Sequence, residues 1–383
     1  MAAERCEIAV VGGGISGTAT AYHLARAGAS VLLLERHEIG TEASGRNAGS
    51  LHGQLQHEPF RLRGEAWART FLPALEFLHR SLHRWATLSD ELGVDLEVTT
   101  NGGLLLVDDP AYLRLVEAKV ALERETGVDA RVLDAGEVRR LAPWVGEAIV
   151  GAGFMPVEGK ANPMLAAPAF AAAASAAGAR LETGTAVHSI EEEAAGLRLL
   201  TDRGEVLAAQ VVLTSGRELA RHAAALGTPI PIEDEPAQVS ATEPVAPLVH
   251  HLVYYAGGRL TLKQAKAGSL LIGGGWEART DPVSGYPRVD VANLRANLEV
   301  ALRVAPALAE ALVIRSWAGI GSVTPDMLPV IGTLPGSGRV HAGMFPHMGL
   351  TAGPLMGEVL ACLAGGTAVP VEISPFRPDR FAA

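Results

Sequence analysis

Residues 7–17 read EIAVVGGGISG and residues 30–35 read SVLLLE. The first stretch is a short apolar strand, Glu7 to Val11, that runs through a glycine turn into a helical pattern from Ile15 to Ala27, stopped by Gly28. The second is an apolar strand ending on Glu35, so the two together read as one βαβ unit. Gly12, Gly14 and Gly17 stand at GxGxxG spacing. They permit a tight turn, let a pyrophosphate approach the backbone and allow close strand–helix packing. Ile15 and Ser16 open a helix whose N-terminal dipole favours negative charge. Glu35 follows Gly17 by 18 residues, where a carboxylate accepts hydrogen bonds from both ribose hydroxyls and would repel a 2′-phosphate. The unit is expected to bind a dinucleotide other than NADP.

Beyond Glu35 and Arg36, residues 40–49 read GTEASGRNAG. This is a small, polar loop with one cation, suited to wrapping the far side of a pyrophosphate. A helical region from about Pro59 to Leu92, a strand at Gly102 to Val107 and a charged helical pattern from Ala111 to Arg124 belong to a different lobe. Helix and strands resume from Pro163 to Gly216, with separate strands expected at Glu205 to Ala209 and Val211 to Thr214. Further strands at Leu260 to Gln264 and Ser269 to Gly273 precede an amphipathic helix, Val291 to Val304. A strand at Val340 to Gly343 then leads through a glycine-rich turn into a helix from about Leu350 to Leu363. The expected architecture is α/β: a Rossmann-type cofactor domain made of residues 1–75, 150–220 and 325–383. It is interleaved with a discontinuous α+β domain, residues 76–149 and 221–324, carrying an antiparallel or mixed sheet.

Composition removes several classes. A net charge of −10 with scattered arginines gives no basic footprint, so nucleic acid is not an expected partner. Cys6 and Cys362 lie at opposite ends of the chain, which fits a reducing, cytoplasmic setting better than a disulfide framework. No apolar run approaches the roughly 20 residues of a spanning helix, and no leader is read at the start. His79 and His83 have helical spacing but no third ligand, so no metal site is expected.

Four blocks together resemble the D-amino acid oxidase superfamily, the group that includes glycine oxidase, monomeric sarcosine oxidase and D-amino acid dehydrogenase. They are VVGGGISG with LLLER, then EASGRNAG, then WAGIGSVTPDMLPVIG at 317–332, and the C-terminal HAGMFPHMGLTAGPLMGEVL. They span nearly the whole chain in the family's order. The resemblance implies FAD at the glycine turn, with its ring at the junction of the two domains. It assigns Ser44, Arg46, Asn47, Ala48, Gly49 and Leu51 to the cofactor's surroundings, with Val187, Gly216 and Gly319. From the last block it adds Gly343, His347, Met348, Gly349, Leu350 and Thr351, where a helix N-terminus would face the flavin's pyrimidine edge and stabilise negative charge. Pro325 and Asp326 are expected to form a structural turn.

The resemblance also implies the chemistry: a neutral amine loses its α-hydrogen as hydride to the flavin, and the resulting imine is hydrolysed. The protein then contributes orientation more than acid–base catalysis. Two departures matter. Relatives that clamp a substrate carboxylate carry an arginine where this chain has Gly321, leaving Lys263, Arg46 and Arg315 as candidate cations. Monomeric sarcosine oxidases link FAD to a cysteine where this chain has Gly319, so noncovalent FAD is expected. The segment Ser50 to His57 should bring His52 or Gln54 near the ring, and Tyr254 or Tyr255 should wall the pocket. The expected catalytic set is therefore Lys263, His52, His347 and Tyr254.

The leading expectation is a single-chain oxidoreductase acting on an amino acid or secondary amine, with oxygen, a quinone or a partner protein as electron acceptor. An alternative is the FAD-carrying subunit of a heteromeric opine, hydroxyproline or sarcosine dehydrogenase, so homo- or hetero-oligomers are both open. A flavin-binding protein serving RNA modification or interaction is a third, which the acidic charge disfavours.

Overall fold

The computed structural model describes residues 4–382. Strand β1 (Glu4–Val11), helix α1 (Ile15–Arg26) and strand β2 (Val31–Leu34) form the βαβ unit. Along both strands alternate side chains enter different cores. Ile8, Val10, Val31 and Leu33 face a helical layer, while Ala9, Val11, Leu32 and Leu34 face the opposite side. Burial on both faces is why these strands are continuous apolar runs, as parallel sheets require.

A single turn α2 (Ala43–Arg46) and the two-residue strand β3 (Ser50–Leu51) lead into α3 (His57–Leu92), which is broken at Gly64, where φ is 73°. Next come β4 (Gly103–Val107), α4 (Pro110–Arg124), β5 (Arg131–Asp134), α5 (Ala135–Leu141), β6 (Gly151–Met155) and β7 (Gly159–Lys160). Helix α6 (Pro163–Ala176) is capped by the Asn162 side chain. Strands β8 (Arg180–Glu182), β9 (Val187–Glu193), β10 (Gly196–Thr201) and β11 (Gly204–Leu213) follow, then α7 (Leu219–Ala225). The second sheet continues with β12 (Glu233–Pro244), β13 (Leu252–Tyr255), β14 (Thr261–Gln264) and β15 (Ser269–Gly273). After the small ribbon β16 (Arg279–Thr280) and β17 (Pro287–Arg288) come α8 (Val291–Val304), β18 (Val313–Val323), β19 (Val330–Thr333), β20 (Val340–Met344) and α9 (Gly349–Ala364).

The first sheet has the order β19-β20-β11-β1-β2-β8, with β9 and β10 hung on β11. Its β11-β1-β2-β8 core is parallel. The second sheet, β18-β12-β15-β14-β13-β4-β6-β5, is antiparallel except between β13 and β4. This is the α/β architecture of two interleaved sheets expected from the sequence.

Three details differ from that expectation. Residues 204–213 form one strand, not two, because Gln210, which reads as a polar break, sits on a strand position where its side chain meets His341 Nε2 at 2.9 Å. Strand β6 pairs with β4 and β5 in the second sheet, although it lies within the segment 150–220 expected in the cofactor domain. Helix α3 runs through position 75 without interruption.

Candidate functional site

The glycine turn is dictated by close approach. Gly12 has φ +111° and a Cβ there would lie 2.6 Å from Thr214 O; one at Gly17 would lie 1.9 Å from Gly12 O. The N-cap of α1 is Gly14, no side chain caps the helix and its first turn holds no acid. Ile15 N–H donates to Ser44 Oγ at 3.0 Å, and the N–H groups of Ser16 and Gly17 remain as first-turn donors for an anion.

Glu35 accepts from Gly13 N–H at 2.6 Å and from His37 N–H at 2.7 Å, so one oxygen is tied to the turn and lone pairs remain for a diol. Glu35 and Arg36 line a cleft of about 340 Å³ together with Ser44, Val187 and Gly216, and the cleft reaches Ile320 and Ser322 on β18. It therefore opens between the two sheets. The donors, the carboxylate and the uncapped helix end fit the adenosine diphosphate portion of FAD.

The loop after Glu35 is held by its own side chains. Asn47 Nδ2 donates to Ala43 O and Ser44 O, and Asn47 Oδ1 accepts from Gly49 N–H. Arg46 donates to Thr41 O and Ala318 O, and Trp317 Nε1 donates back to Arg46 O at 2.7 Å. Ala48 is half-buried within this loop. Gly319 faces the same residue: a Cβ there would lie 2.9 Å from Arg46 Cβ. The loop thus bridges from α1 to the second sheet.

Helix α9 begins at Gly349 without a capping side chain or an acid in its first turn. Met348, Leu350 and Thr351 are buried there, as is Leu51. Thr351 Oγ1 accepts from His52 N–H at 2.9 Å, which joins β3 to the helix end. His347 takes a left-handed conformation, φ 54°, and its Nδ1 lies 2.6 Å from Glu235 Oε2. Burial opposes the charge on Glu235, but His347 holds its carboxyl below the usual range. Gly343 is placed differently from the rest. A Cβ there would lie 2.5 Å from Leu360 Cδ1, so it packs beneath α9 and serves the strand–helix contact.

Strand alternation positions the remaining residues. Tyr254 pairs with Thr261, two residues from Lys263, whereas Val253 pairs with Leu262 on the core-facing side. Tyr254 and Lys263 therefore share a face. Lys263 is 1% exposed and donates to Ser50 Oγ at 2.7 Å. No carboxylate pairs with it among the described residues. Burial and the nearby Lys160 lower its ammonium to about 7. His52 Nδ1 lies 2.8 Å from Tyr254 Oη, and burial, with Lys263 and His347, lowers the imidazole to about 3. His52 is thus a neutral ring at ordinary pH.

Other expected residues do not join this group. Tyr255 turns to the opposite face and bonds Asp108. Arg315 is exposed and stacks 5.8 Å over Trp317. Gly321 lies opposite Glu235 in the β12–β18 pairing. Among the described residues no group of three or more histidine, cysteine or acidic side chains could hold a metal ion. Glu158 is a site residue not expected from the sequence. It is fully buried and accepts from Gly53 N–H at 2.6 Å, Gln54 Nε2 at 2.7 Å and Tyr254 Oη at 2.7 Å. It lies between two short strands in the stretch MPVEGK, and nothing in that pattern separates it from a solvated loop acid.

A Rossmann turn fastened by Glu35, opening toward a second sheet beside a buried lysine and a half-buried histidine and tyrosine, is the arrangement of a flavin-dependent oxidoreductase. The chain belongs to the DAO family, FAD dependent oxidoreductase, which matches residues 7–363. It is 29% identical to a glycine oxidase of Geobacillus kaustophilus over 98% of this chain and 97% of that one. It is 26% identical to one of the subunits of an opine oxidase of Agrobacterium tumefaciens, over 98% of each. The crystal structure of glycine oxidase from Geobacillus kaustophilus superposes with a TM-score of 0.88 at 25% identity, covering 99% of this chain and 100% of that one. No helix among the described residues is long and apolar enough to cross a membrane.

Proposed function

We propose that this chain oxidises the C–N bond of an amino acid or secondary amine whose nitrogen approaches His52 and whose anionic end approaches Lys263. FAD, when bound, supplies the hydride acceptor, and the substrate leaves as an imine that water hydrolyses. The observation that carries this reading is Lys263: a buried ammonium with no carboxylate partner among the described residues, beside a neutral imidazole and the uncapped start of α9. A buried charge left unpaired by the protein is a site for a charge from outside it. His52 and Tyr254 set the nitrogen's position, and the α9 N-terminus with His347 favours negative charge on the cofactor's edge.

FAD is held noncovalently in this reading. Gly319 offers no thiol, and Cys362 stands 13 residues into α9, about 20 Å from its start at 1.5 Å per residue. Cys6 sits at the opposite end of β1 from the glycine turn, with burial raising its thiol to about 11. A second reading, the FAD-carrying subunit of a heteromeric dehydrogenase, is favoured by β18. It is an edge strand that exposes Val313 and Ile314 at its beginning, with Leu312 just before it, an apolar edge of the kind that a partner chain covers.

The test is anaerobic loss of flavin absorbance, at about 450 nm, on mixing the FAD-loaded protein with D-amino acids, N-methyl amino acids, opines or plain amines. Bleaching by one class is the expected result, and readmitted air then separates an oxidase from a dehydrogenase. A flavin bleached by none of them counts against the single-chain reading.

A further inference from the structure

Behind His52 lies a line of polar side chains, half-buried at Tyr254 and buried beyond it, that orientation of the substrate leaves without a use. Tyr254 Oη stands between His52 Nδ1 at 2.8 Å and Glu158 Oε1 at 2.7 Å. Glu158 Oε2 accepts from Gln54 Nε2, and Gln54 Oε1 accepts from Lys119 Nζ at 2.9 Å, which is paired in turn with Glu123. The space is made for the acid: a Cβ at Gly103 would lie 1.7 Å from Glu158 Oε2. Around the carboxylate stand Gly53 and Gln54 from the segment after β3, Tyr254 from β13 and Gly103 from β4. Lys119 and Glu123 of α4 and His79 of α3, which bonds Gly53 O, are one contact further away. Among the described residues no cation touches Glu158 directly; Lys119 reaches it only through Gln54.

Such an acid is poised between its two forms. Burial raises Glu158 to about 7, against the pull of its three donors and Lys119. The same heavy atoms accommodate two proton arrangements. With Glu158 ionised, Tyr254 donates to it and His52 Nδ1–H donates to Tyr254, leaving His52 Nε2 as an acceptor. With Glu158 protonated, it donates to Tyr254, Tyr254 donates to His52 Nδ1, and His52 Nε2 carries the proton. That Nε2 has no protein partner among the described residues and is not among the sealed, unpartnered nitrogens, so it is the open end of the line.

We propose that His52, Tyr254 and Glu158 form a proton relay that removes the ammonium proton of an amine substrate and stores it on Glu158. The proposal rests on the amine reading above. In the step an N–H bond of the substrate ammonium breaks and its proton joins His52 Nε2. The Nδ1 proton passes to Tyr254 Oη, and the tyrosyl proton passes to Glu158 Oε1. Ammonium becomes amine, carboxylate becomes carboxylic acid, and no electrons are exchanged. The transfer is concerted, because neither an imidazolium at His52 nor a phenolate at Tyr254 is accessible in this buried setting. Tyr254 and Glu158 act through His52 and are positioning residues for the amine.

The experiment follows anaerobic flavin reduction by the best amine across pH in the FAD-loaded protein, with Glu158→Gln and Tyr254→Phe beside it. In the unsubstituted protein the rate should fall as pH drops through about 7 and Glu158 becomes protonated. Each variant should lose that step and be slower at neutral pH by about 100-fold. The loss should shrink as pH rises to the amine's own pKa in solution, where the neutral amine arrives unaided. An infrared pH-difference spectrum, which needs no substrate, should show a carboxylic-acid C=O band titrating near neutrality that Glu158→Gln abolishes. Equal slowing at every pH, an unchanged pH profile, or absence of that band would overturn the relay while leaving the amine reading intact. A protein that shows the band but is reduced by no amine would overturn both.

Discussion

The carboxylate of Glu35 accepts the backbone N–H of Gly13 at 2.6 Å, so the residue that marks the end of β2 also fastens the glycine turn at the end of β1. In the proposed cofactor site one side chain thereby couples the ribose position to the pyrophosphate position. Glu35→Ala removes both the turn's bond and the diol's acceptor. It is expected to cost about 2 kcal/mol of FAD binding, roughly 30-fold in Kd, with Glu35→Gln intermediate. Titration of the apoprotein followed by flavin fluorescence measures this. Unchanged affinity in the alanine variant would remove Glu35 from the ribose site.

Lys263 gives a prediction with a definite sign. Its native ammonium is lowered from 10.5 to about 7, so between these values the unfolded chain binds more protons than the native one. The native state is therefore favoured fully above pH 10.5, and this contribution is lost as pH falls to about 7. Lys263→Met relieves the buried charge and is expected to stabilise the apoprotein at about pH 6 by on the order of 1 kcal/mol, read as a higher Tm. The same variant should raise KM for carboxylate-bearing substrates and leave KM for plain amines little changed. A variant that lowers Tm at that pH and alters no KM would contradict both parts.

Lys119 and Glu123 form an ion pair with both side chains 1% exposed, and Glu123 Oε1 also accepts from Leu55 N–H at 2.8 Å. Burial raises the Glu123 carboxyl against the pull of Lys119, so each charge depends on the other. Lys119→Met alone should destabilise by about 3–5 kcal/mol because it strands a buried carboxylate. Lys119→Met combined with Glu123→Leu should recover most of that loss. Urea unfolding of these two variants and of Glu123→Leu alone decides it; additive losses would mean that the pair is not coupled.

The βαβ unit and the strand, turn and helix of residues 340–364 were legible in the sequence because they depend on local signals: glycine spacing, apolar runs and helix starts. Val291–Val304 was legible as a helix for the same reason. The buried network was not. Lys119 and Glu123 are four apart on α4, which in a sequence reads as an ordinary solvated pair, and only the packing of α4 beneath the segment after β3 turns them inward. Glu158 carries no local mark at all, since its meaning comes from Tyr254, 96 residues away. His52 and Tyr254 were both expected near the pocket, but their contact depends on the register of β13 against β14 and on Thr351, which no periodicity records.

Asp326, expected to form only a turn, does so by accepting from Leu328 N–H at 3.1 Å, and it also meets Arg380 Nε at 2.8 Å. The Arg380 guanidinium and the turn's N–H hold its carboxyl below the usual range despite burial. The group is depressed in the folded state, so its contribution is present above pH 3.8 and is lost as pH falls below it. Asp326→Ala should lower stability at neutral pH by about 1–2 kcal/mol and have a smaller effect at about pH 3. Equal losses at both pH values would show that the ion pair contributes nothing.

Gly321 is the position at which resembling enzymes carry a carboxylate-binding arginine, and here its neighbour is an acid. A Cβ at Gly321 would lie 3.4 Å from Glu235 O and 3.9 Å from Glu235 Oε2, which is ordinary contact, so a longer side chain has room to start. Its first partner, however, would be the Glu235 carboxylate that now faces His347. Gly321→Arg is therefore expected to form an internal ion pair and to leave KM for α-carboxylate substrates within about twofold. When Glu235→Gln is added, the guanidinium loses its internal partner and is free to take a substrate carboxylate, with KM falling at least ~10-fold. A tenfold fall with Gly321→Arg alone would mean that Glu235 does not govern this corner of the pocket, and that the absent arginine has no substitute in the chain.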